Sequence, residues 1–206
     1  SRSCSKSELP AELDPSIFDS LIHREFNSVI EQSPGFRIVL ILSSWIETRK
    51  CRGLLRNASR RGLTMIRVAA ADDAAEIRRI YAPAVSQEVI SFETVVPSER
   101  ELQLRVATTL ERFPWLVQVG DQGLVGFAYA SSHRLRDAYR WSVEVSVYVD
   151  VDCRRQGCGR QLFEKLFAIL VLQGFYSAFA GIAVLNQTSQ AFHESLGFRQ
   201  VGVFPS

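Results

Sequence analysis

The amino-acid sequence predicts an α/β fold, a single mixed β-sheet with helices packed against it. Two observations support this prediction. From Met65 onward, segments that alternate apolar and polar residues are interleaved with segments whose apolar residues recur every three or four positions. The apolar share of 47% is also ordinary for a globular domain with a core. Strands interleaved with amphipathic helices indicate a sheet covered by helices.

The first part of this region predicts a strand and two helices. Residues 65–69 alternate as a strand does, and Asp73 followed by Glu76 has the spacing of a helix-capping pair. Ser98 followed by Glu101 has the same spacing, and apolar residues at helical intervals come after it. We therefore expect one helix after Asp73 and a second after Ser98.

The second part predicts a hairpin, a strand with polar side chains on one face, and four further elements. The hairpin strands are expected at 115–119 and 124–130, around a Gly-containing turn. Residues 141–149 alternate strictly, so Glu144, Ser146 and Tyr148 share the face opposite the valines. The remaining predicted elements are a helix through Leu162 and Leu170 to about Gln173, a strand at 175–184, a helix at 188–196 and a strand at 198–204.

Composition argues against several functional classes. The formal net charge of +2 gives no reason to expect nucleic acid or an anionic membrane as a partner. The most apolar run, residues 36–46, falls short of the roughly 20 residues that span a bilayer. The four cysteines contain no C-x-x-C pair, and the three histidines lack metal-ligand spacing. We therefore predict a cytoplasmic protein without a metal.

The sequence after Met65, the only methionine, shows a much clearer strand and helix pattern than the sequence before it. This difference indicates the domain organisation. We predict a domain at 65–206, preceded by an N-terminal extension at 1–64 whose role the sequence does not reveal. Within the extension, residues 48–62 are basic and interrupted by glycine, which is typical of a solvated linker. A nucleic-acid-binding arm is the alternative interpretation of this stretch.

The strongest local signal is Arg154-Arg155-Gln156-Gly157-Cys158-Gly159-Arg160, between a predicted strand and a predicted helix. Glycines allow successive backbone N–H groups to converge on an anion, and the helix adds free N–H donors and its positive dipole end. Arginine side chains assist by charge-assisted hydrogen bonds. The pattern predicts a pyrophosphate site, with an ordinary glycine turn carrying surface arginines as the alternative.

This loop resembles the Q/R-x-x-G-x-G/A loop with which GNAT acetyltransferases hold the pyrophosphate of acetyl-CoA. Four further blocks, 113–117, 138–144, 147–149 and 192–198, resemble the phosphinothricin N-acetyltransferase branch of that family. The resemblance runs from Met65 to about Val203. It implies the GNAT fold, a mostly antiparallel central sheet flanked by helices, and an N-acetyltransferase that uses acetyl-CoA as co-substrate.

The resemblance also assigns binding residues. Those expected to contact acetyl-CoA match the family's pantetheine strand, pyrophosphate loop and following asparagine helix: Val147, Tyr148, Val149, Arg154, Arg155, Gln156, Gly157, Cys158, Gly159, Arg160, Asn186 and Ser189. The acceptor pocket is expected to include Phe92, Arg136 and Tyr139. Phe92 is equally compatible with a place in the core.

The expected reaction is direct acetyl transfer to the primary amine of a small amino-acid-like acceptor, of the phosphinothricin or methionine sulfoximine and sulfone type. An amine is mostly protonated near neutral pH, so a base must take its proton, and Glu144 is the candidate. A solvent-facing strand residue is the alternative for Glu144. His193 is expected to protonate the leaving thiolate or to contact substrate. The sequence leaves open another amine, such as a peptide N-terminus or polyamine, and an acyl-CoA-binding module without turnover.

One departure from the family concerns its final strand. The sequence ends soon after the sixth predicted strand, where relatives continue, so we expect the final strand to be missing and a sheet edge to be exposed. Weak catalysis or poor stability would follow. Alternatively, residues 36–46 pack where that strand would lie. Relatives commonly dimerise, which makes a homodimer a further expectation.

Overall fold

The computed structural model describes residues 38–44, 64–86 and 90–204, and for 38–44 and 204 it describes the backbone alone. The strands in these ranges are β1 (Ile38–Ser44), β2 (Met65–Val68), β3 (Trp115–Gly120), β4 (Gly123–Ser132), β5 (Ser142–Val149), β6 (Ser177–Ala183) and β7 (Arg199–Phe204). The helices are α1 (Ala74–Ser86), α2 (Glu99–Leu110), α3 (Cys158–Leu172) and α4 (Gln187–Glu194). No helix in the described ranges is long and apolar enough to cross a bilayer.

The strands form one mixed sheet in the order β2-β3-β4-β5-β6-β1-β7. Every neighbouring pair is antiparallel except β5 and β6, which are parallel. The predicted mostly antiparallel sheet is therefore confirmed. β5 pairs with β6 only along Ser142–Glu144, opposite Ser177–Phe179, and beyond these residues the two strands no longer pair. This separation leaves room for a cleft in the sheet.

Strand β1 comes from the segment predicted as an extension, yet it lies inside the sheet. It pairs antiparallel with β6 on one side and with β7 on the other. Of the alternatives left open by the sequence, this placement matches the one in which residues 36–46 join the sheet. The domain start at Met65 stays a prediction. Strand β1 precedes Met65 in the chain and belongs to the same sheet. The basic stretch at 48–62 lies outside the described residues.

The predicted capping residues lie at the starts of α1 and α2, but one of them, Glu76, makes a different contact from the one expected. Ser98 accepts a hydrogen bond from the Glu101 N–H at 3.2 Å, as the capping motif predicts. Asp73 accepts one from a backbone N–H in the turn before α1. The Glu76 carboxylate, however, accepts a hydrogen bond from the Leu124 N–H at 2.6 Å. Glu76 therefore ties α1 to the β3–β4 turn.

The sheet has a hydrophobic core on each face. Val143 and Val145 of β5 pack in the core that includes α3, whereas Tyr148 packs against the core that includes α1 and α2. Since alternate residues of a strand face opposite sides, Glu144 lies on the same side as Tyr148. The predicted separation of valines from polar side chains is confirmed.

Candidate active site

Glu144 lies where β5 and β6 separate. It is the last β5 residue paired with β6, opposite Phe179, and it is partly buried. Burial raises the pKa of the Glu144 carboxyl above its ordinary value, and the charge of Arg134 partly offsets this effect. A carboxylate with a raised pKa, placed in an opening of the sheet, is suited to accept a proton.

Phe92 and Gly181 lie beside Glu144. A Cβ atom built on Gly181 would come within 3.3 Å of Phe92 Cε2 and 3.6 Å of Glu144 Oε1. The glycine therefore allows both side chains to approach β6 closely. Phe92 is 50% exposed, so it is not a core residue, and it lies on the Glu144 side of the sheet as the acceptor-pocket alternative predicts.

The two residues that flank Phe92 are held by side chains of α1 and α2. The Ser91 Oγ lies 2.6 Å from the Tyr81 hydroxyl, and both atoms are buried. Glu93 accepts hydrogen bonds from both terminal nitrogens of Arg105, at 2.5 and 3.3 Å. These contacts fix the backbone on either side of Phe92.

His133 and Tyr139 form an aromatic stack on β6. The imidazole lies parallel to the Phe179 ring with centroids 3.9 Å apart, and Tyr139 meets the imidazole edge-on at 5.8 Å. The His133 Nδ1 is buried and has no hydrogen-bond partner among the described residues. Burial, together with the charge of Arg134, lowers the pKa of His133 to about 4. The ring is therefore uncharged at neutral pH.

Arg136 lies apart from this group. With Tyr139 and Arg134 it lines a small depression of about 80 Å³. The arginine whose charge acts on Glu144 is Arg134, which was not among the residues predicted for the site. The β4–β5 register accounts for the place of His133: Ser131 pairs with Glu144, and the residue two positions later extends along the same face. No local motif in the sequence indicates this.

A cleft of about 740 Å³ adjoins β5 and the starts of α3 and α4. All of the residues predicted to bind acetyl-CoA line it except Gln156, whose side-chain amide donates to the Asp152 carbonyl at 2.9 Å. Sequence reasoning missed the apolar and small residues that complete the lining: Ile80, Ala84, Ile90, Cys153, Leu185, Thr188, Ala191 and Phe192. Their contribution depends on how α1 and α4 pack, which no local motif encodes.

The loop before α3 has the geometry of an anion site. Gly157 has φ 86°, a left-handed conformation that favours glycine, and α3 begins at the next residue. The first N–H to bond within the helix is that of Gln161, to the Gly157 carbonyl at 3.0 Å, so the first-turn N–H groups remain available. Arg155 and Arg160 line the same end of the cleft. These donors fit a diphosphate.

A partly exposed ion pair positions the start of this loop. Arg79 of α1 pairs with Asp150 at the end of β5 and donates to the Leu124 carbonyl at 2.7 Å. Asp150 in turn accepts a hydrogen bond from the Asp152 N–H at 3.1 Å, which caps the short turn at Val151–Cys153. The loop is thereby fixed to both α1 and the β3–β4 hairpin.

His193 lies in a different place from the one predicted. It is 4% exposed, its ring packs among Phe163, Phe192 and Phe198, and it does not line the cleft. Its Nδ1–H donates to the Ser189 carbonyl at 2.8 Å. The direct contact with thiolate or substrate expected of His193 is therefore corrected, because helix α4 turns this side chain into the core.

Asn186 and Ser189 remain at the cleft beside it. The Asn186 Oδ1 accepts a hydrogen bond from the Ser189 N–H at 3.1 Å and so caps α4. The Ser189 Oγ lies 3.4 Å from His193 Nδ1. Because that N–H already points toward the Ser189 carbonyl, the serine hydroxyl is left to donate toward the cleft.

Metal ligation was not expected from the sequence. Within the described ranges no group of three or more His, Cys, Asp or Glu side chains is arranged to hold a metal ion. The absence of a metal from the intact protein stays a prediction.

Known proteins resemble this chain in sequence and in structure. The profile described as acetyltransferase (GNAT) domain matches residues 66–205. A phosphinothricin N-acetyltransferase from Alcaligenes faecalis is 38% identical over 143 residues, covering 68% of this chain and 73% of that protein. An L-methionine sulfoximine/L-methionine sulfone acetyltransferase from Salmonella typhimurium is 32% identical over 141 residues, covering 68% and 82%.

A solved structure extends the likeness to the fold. It is a GNAT superfamily phosphinothricin acetyltransferase from Sinorhizobium meliloti in complex with acetyl-CoA, 35% identical, with a TM-score of 0.64 over 68% of this chain and 76% of that one. The residues that the profile matches, 66–205, contain β3 to β7 with the cleft and its loop. The chain therefore belongs to the GNAT acetyltransferase family, whose co-substrate is acetyl-CoA.

Proposed function

We propose that this protein transfers the acetyl group of acetyl-CoA to the primary amine of a small amino-acid-like acceptor, of the phosphinothricin or methionine sulfoximine and sulfone type. The observation that carries the proposal is the position of Glu144 at the point where β5 and β6 separate, on the strand whose later residues Val147–Val149 line the cleft. The relatives with phosphinothricin and methionine sulfoximine in their names support the acceptor class.

The cleft residues suit acetyl-CoA along its length. The arginines and the N-terminus of α3 provide donors for the diphosphate, and the backbone of Val147–Val149 lies along the pantetheine path. Beyond Glu144, the β5 backbone groups that face β6 have no strand partner in the described sheet, so they are available to a ligand. When bound, acetyl-CoA supplies the acetyl group as a thioester.

Glu144 acts as the base in this proposal. Its carboxylate accepts a proton from the acceptor's ammonium group, directly or through water, and so frees the nitrogen lone pair for attack. A backbone N–H near Val147 donates to the thioester carbonyl oxygen. In this proposal the hydroxyl of Ser189, in place of His193, donates to the leaving thiolate. The His193 imidazole contacts the Ser189 hydroxyl and carbonyl and so holds Ser189 at the cleft.

The acceptor lies between Phe92 and the stack of His133 and Tyr139 in this proposal. Arg134, whose charge acts on Glu144, provides a counter-charge for an acceptor carboxylate. Arg136 lies further along the same surface with Tyr139. An acidic amino-acid analogue therefore meets an anionic base for its ammonium group and an arginine for its acid group.

The test is release of free CoA thiol from acetyl-CoA by the full chain. Phosphinothricin and methionine sulfone are the expected acceptors, with spermidine and an alanyl peptide as competing amine classes. Release that depends on the amino-acid-like amine supports the proposal. If only the polyamine or peptide promotes release, the acceptor assignment is wrong. If acetyl-CoA raises the thermal midpoint but no amine promotes release, the protein is an acyl-CoA-binding module.

We also propose a cytoplasmic protein with its acetyltransferase domain at 65–206, acting as a homodimer. The thiols of Cys153 and Cys158 are free, which is compatible with a reducing compartment. Light scattering on the purified chain tests the dimer, and fractionation of the source cells tests the compartment. A monomeric mass at working concentration contradicts the dimer.

A further inference from the structure

His133 lies just past the end of β4, on the face of the sheet that carries Glu144. Its ring crosses β5 to stack on Phe179, the residue that pairs with Glu144 in β6. The imidazole therefore lies at the level where β5 and β6 separate, and Tyr139 covers its other side edge-on. This is the region in which the acceptor amine must reach Glu144.

The nitrogens of this ring are not needed for its packing. A phenyl ring at position 133 could form the same stack on Phe179 without burying a polar atom. The His133 Nδ1 is nevertheless buried and has no partner among the described residues. A buried polar group without a partner costs stability, and a ligand that supplies a partner recovers that cost. A half-turn about the Cβ–Cγ bond keeps the stack and allows either nitrogen to face that ligand.

We propose that His133 is a positioning residue for the acceptor, whose amino group donates a hydrogen bond to the unprotonated ring nitrogen while Glu144 takes another of its protons. This inference rests on the proposed function. The hydrogen bond to His133 remains after Glu144 has taken its proton, so the neutral amine stays held in the site while its lone pair turns from Glu144 to the thioester carbonyl.

The electrostatic environment is consistent with this division of roles. The charged or titratable groups in this part of the site are Glu144, Arg134, whose charge acts on both His133 and Glu144, and Tyr139, whose ring meets the imidazole edge-on. Burial and Arg134 keep His133 uncharged, with a pKa of about 4, whereas burial raises the pKa of Glu144. The proton therefore goes to Glu144, and His133 neither competes for it nor repels the incoming ammonium ion.

The test compares His133→Phe and His133→Asn with the wild type in acetyl transfer to methionine sulfone. His133→Phe keeps the stack and removes both nitrogens. We expect its kcat/KM for the amine to fall by about tenfold, in line with the loss of one hydrogen bond. The KM for acetyl-CoA should stay unchanged, and the thermal midpoint should be equal to or above that of the wild type. His133→Asn restores a hydrogen-bonding group and should recover part of the loss.

The outcomes separate this inference from the proposed function. An active wild type together with a His133→Phe variant that keeps its full kcat/KM overturns the inference alone, and identifies His133 as a packing residue. An equal fall in kcat/KM for His133→Phe and His133→Asn also overturns it, because a purely steric effect of replacing the imidazole would then explain both results. If the wild type acetylates none of the amines, the proposed function fails and the role of His133 falls with it.

Discussion

Glu144 and Phe179 are the last pair of residues that joins β5 to β6. Up to this pair the sheet is continuous, and beyond it the two strands no longer pair. The carboxyl is therefore held by a paired backbone, while its side chain stands at the edge of an opening lined on the β6 side by Gly181. A carboxylate held by a paired backbone beside such an opening has the placement that the proposed base needs.

Replacing Glu144 with glutamine should remove the base and keep the shape of the site. We expect kcat/KM for the amine to fall by about 10²- to 10⁴-fold, the usual contribution of general acid–base catalysis. Binding of acetyl-CoA, measured by calorimetry, should be unaffected. Glu111→Gln, at an exposed position after α2, is the matched control and should keep full activity. Equal activity of Glu144→Gln and wild type would exclude Glu144 as the base.

We expect the same substitution to raise the stability of the protein, although it lowers the activity. Because burial raises the pKa of Glu144, the folded state holds this proton more tightly than the unfolded state. Ionisation therefore costs stability, and this cost is absent below the ordinary glutamate pKa and grows as pH rises through the folded-state pKa. Glu144→Gln should be more stable than wild type at neutral pH.

Denaturant midpoints of the two proteins, measured from weakly acidic to weakly alkaline pH, check this expectation. The gap between Glu144→Gln and wild type should close as pH falls toward the ordinary glutamate value. A gap that is constant across the range would contradict it, because a constant difference indicates a packing effect of the amide. Glu111→Gln again serves as the control and should show no gap.

Sequence reasoning succeeded where the signal is local. Alternation along β5 predicted which side chains face the α1 side, and the glycines with the arginines around Gly157 predicted a loop that the structure places at the cleft. Such features depend on φ/ψ preference and on periodicity within one element. The hairpin of β3 and β4 and the helix α2 were predicted for the same reason.

The features that were missed depend on contacts between distant segments. His133 and Arg134 acquire their roles from the register of β4 on β5 and from the ring of Phe179, more than forty residues away in sequence. The burial of His193 depends on how α4 rotates against the aromatic core. The position of β1 between β6 and β7 requires pairing across most of the chain. No local pattern determines these arrangements.

Gly157 offers a test of the anion site with a close internal control. Gly157 and Gly174 have nearly the same φ, 86° and 85°, and a Cβ at either would meet nothing nearer than 3.8 Å. Substitution by alanine should therefore cost both variants a similar amount of stability, about 1 kcal/mol or somewhat more. Only Gly157→Ala should weaken acetyl-CoA binding, since Gly174 lies at the far end of α3. Equal acetyl-CoA affinity in the two variants would contradict the role assigned to the loop.

Substitution of Gly181 tests the proposed acceptor pocket beside Phe92. A Cβ there would approach Phe92 within 3.3 Å, so Gly181→Ala should displace the Phe92 ring and raise the KM for the amine. The KM for acetyl-CoA should change little. Gly202→Ala in β7 is the control, because a Cβ at that position meets nothing within 4 Å. An unchanged amine KM for Gly181→Ala would show that Phe92 does not contact the acceptor.

Arg105 holds the backbone next to Phe92, and its removal should affect acceptor binding without touching the chemistry. Arg105 donates to Glu93 at 2.5 Å and to Glu101 at 2.5 Å, whereas Arg67 makes a comparable pair with Asp73 at 2.7 Å, far from the cleft. The two arginine side chains are 37% and 38% exposed. Arg67→Gln is therefore a control for the general loss of an ion pair.

We expect Arg105→Gln to raise the KM for the amine several-fold, because Glu93 and the loop beside it lose their attachment to α2. Each variant should lose only about 1 kcal/mol of stability, which is typical of partly exposed ion pairs. Arg67→Gln should leave the amine KM unchanged. Steady-state kinetics and thermal midpoints distinguish the outcomes. A rise in the amine KM shared by both variants would indicate general loosening of the fold. A rise confined to Arg105→Gln identifies the Glu93 contact as the support of the acceptor pocket.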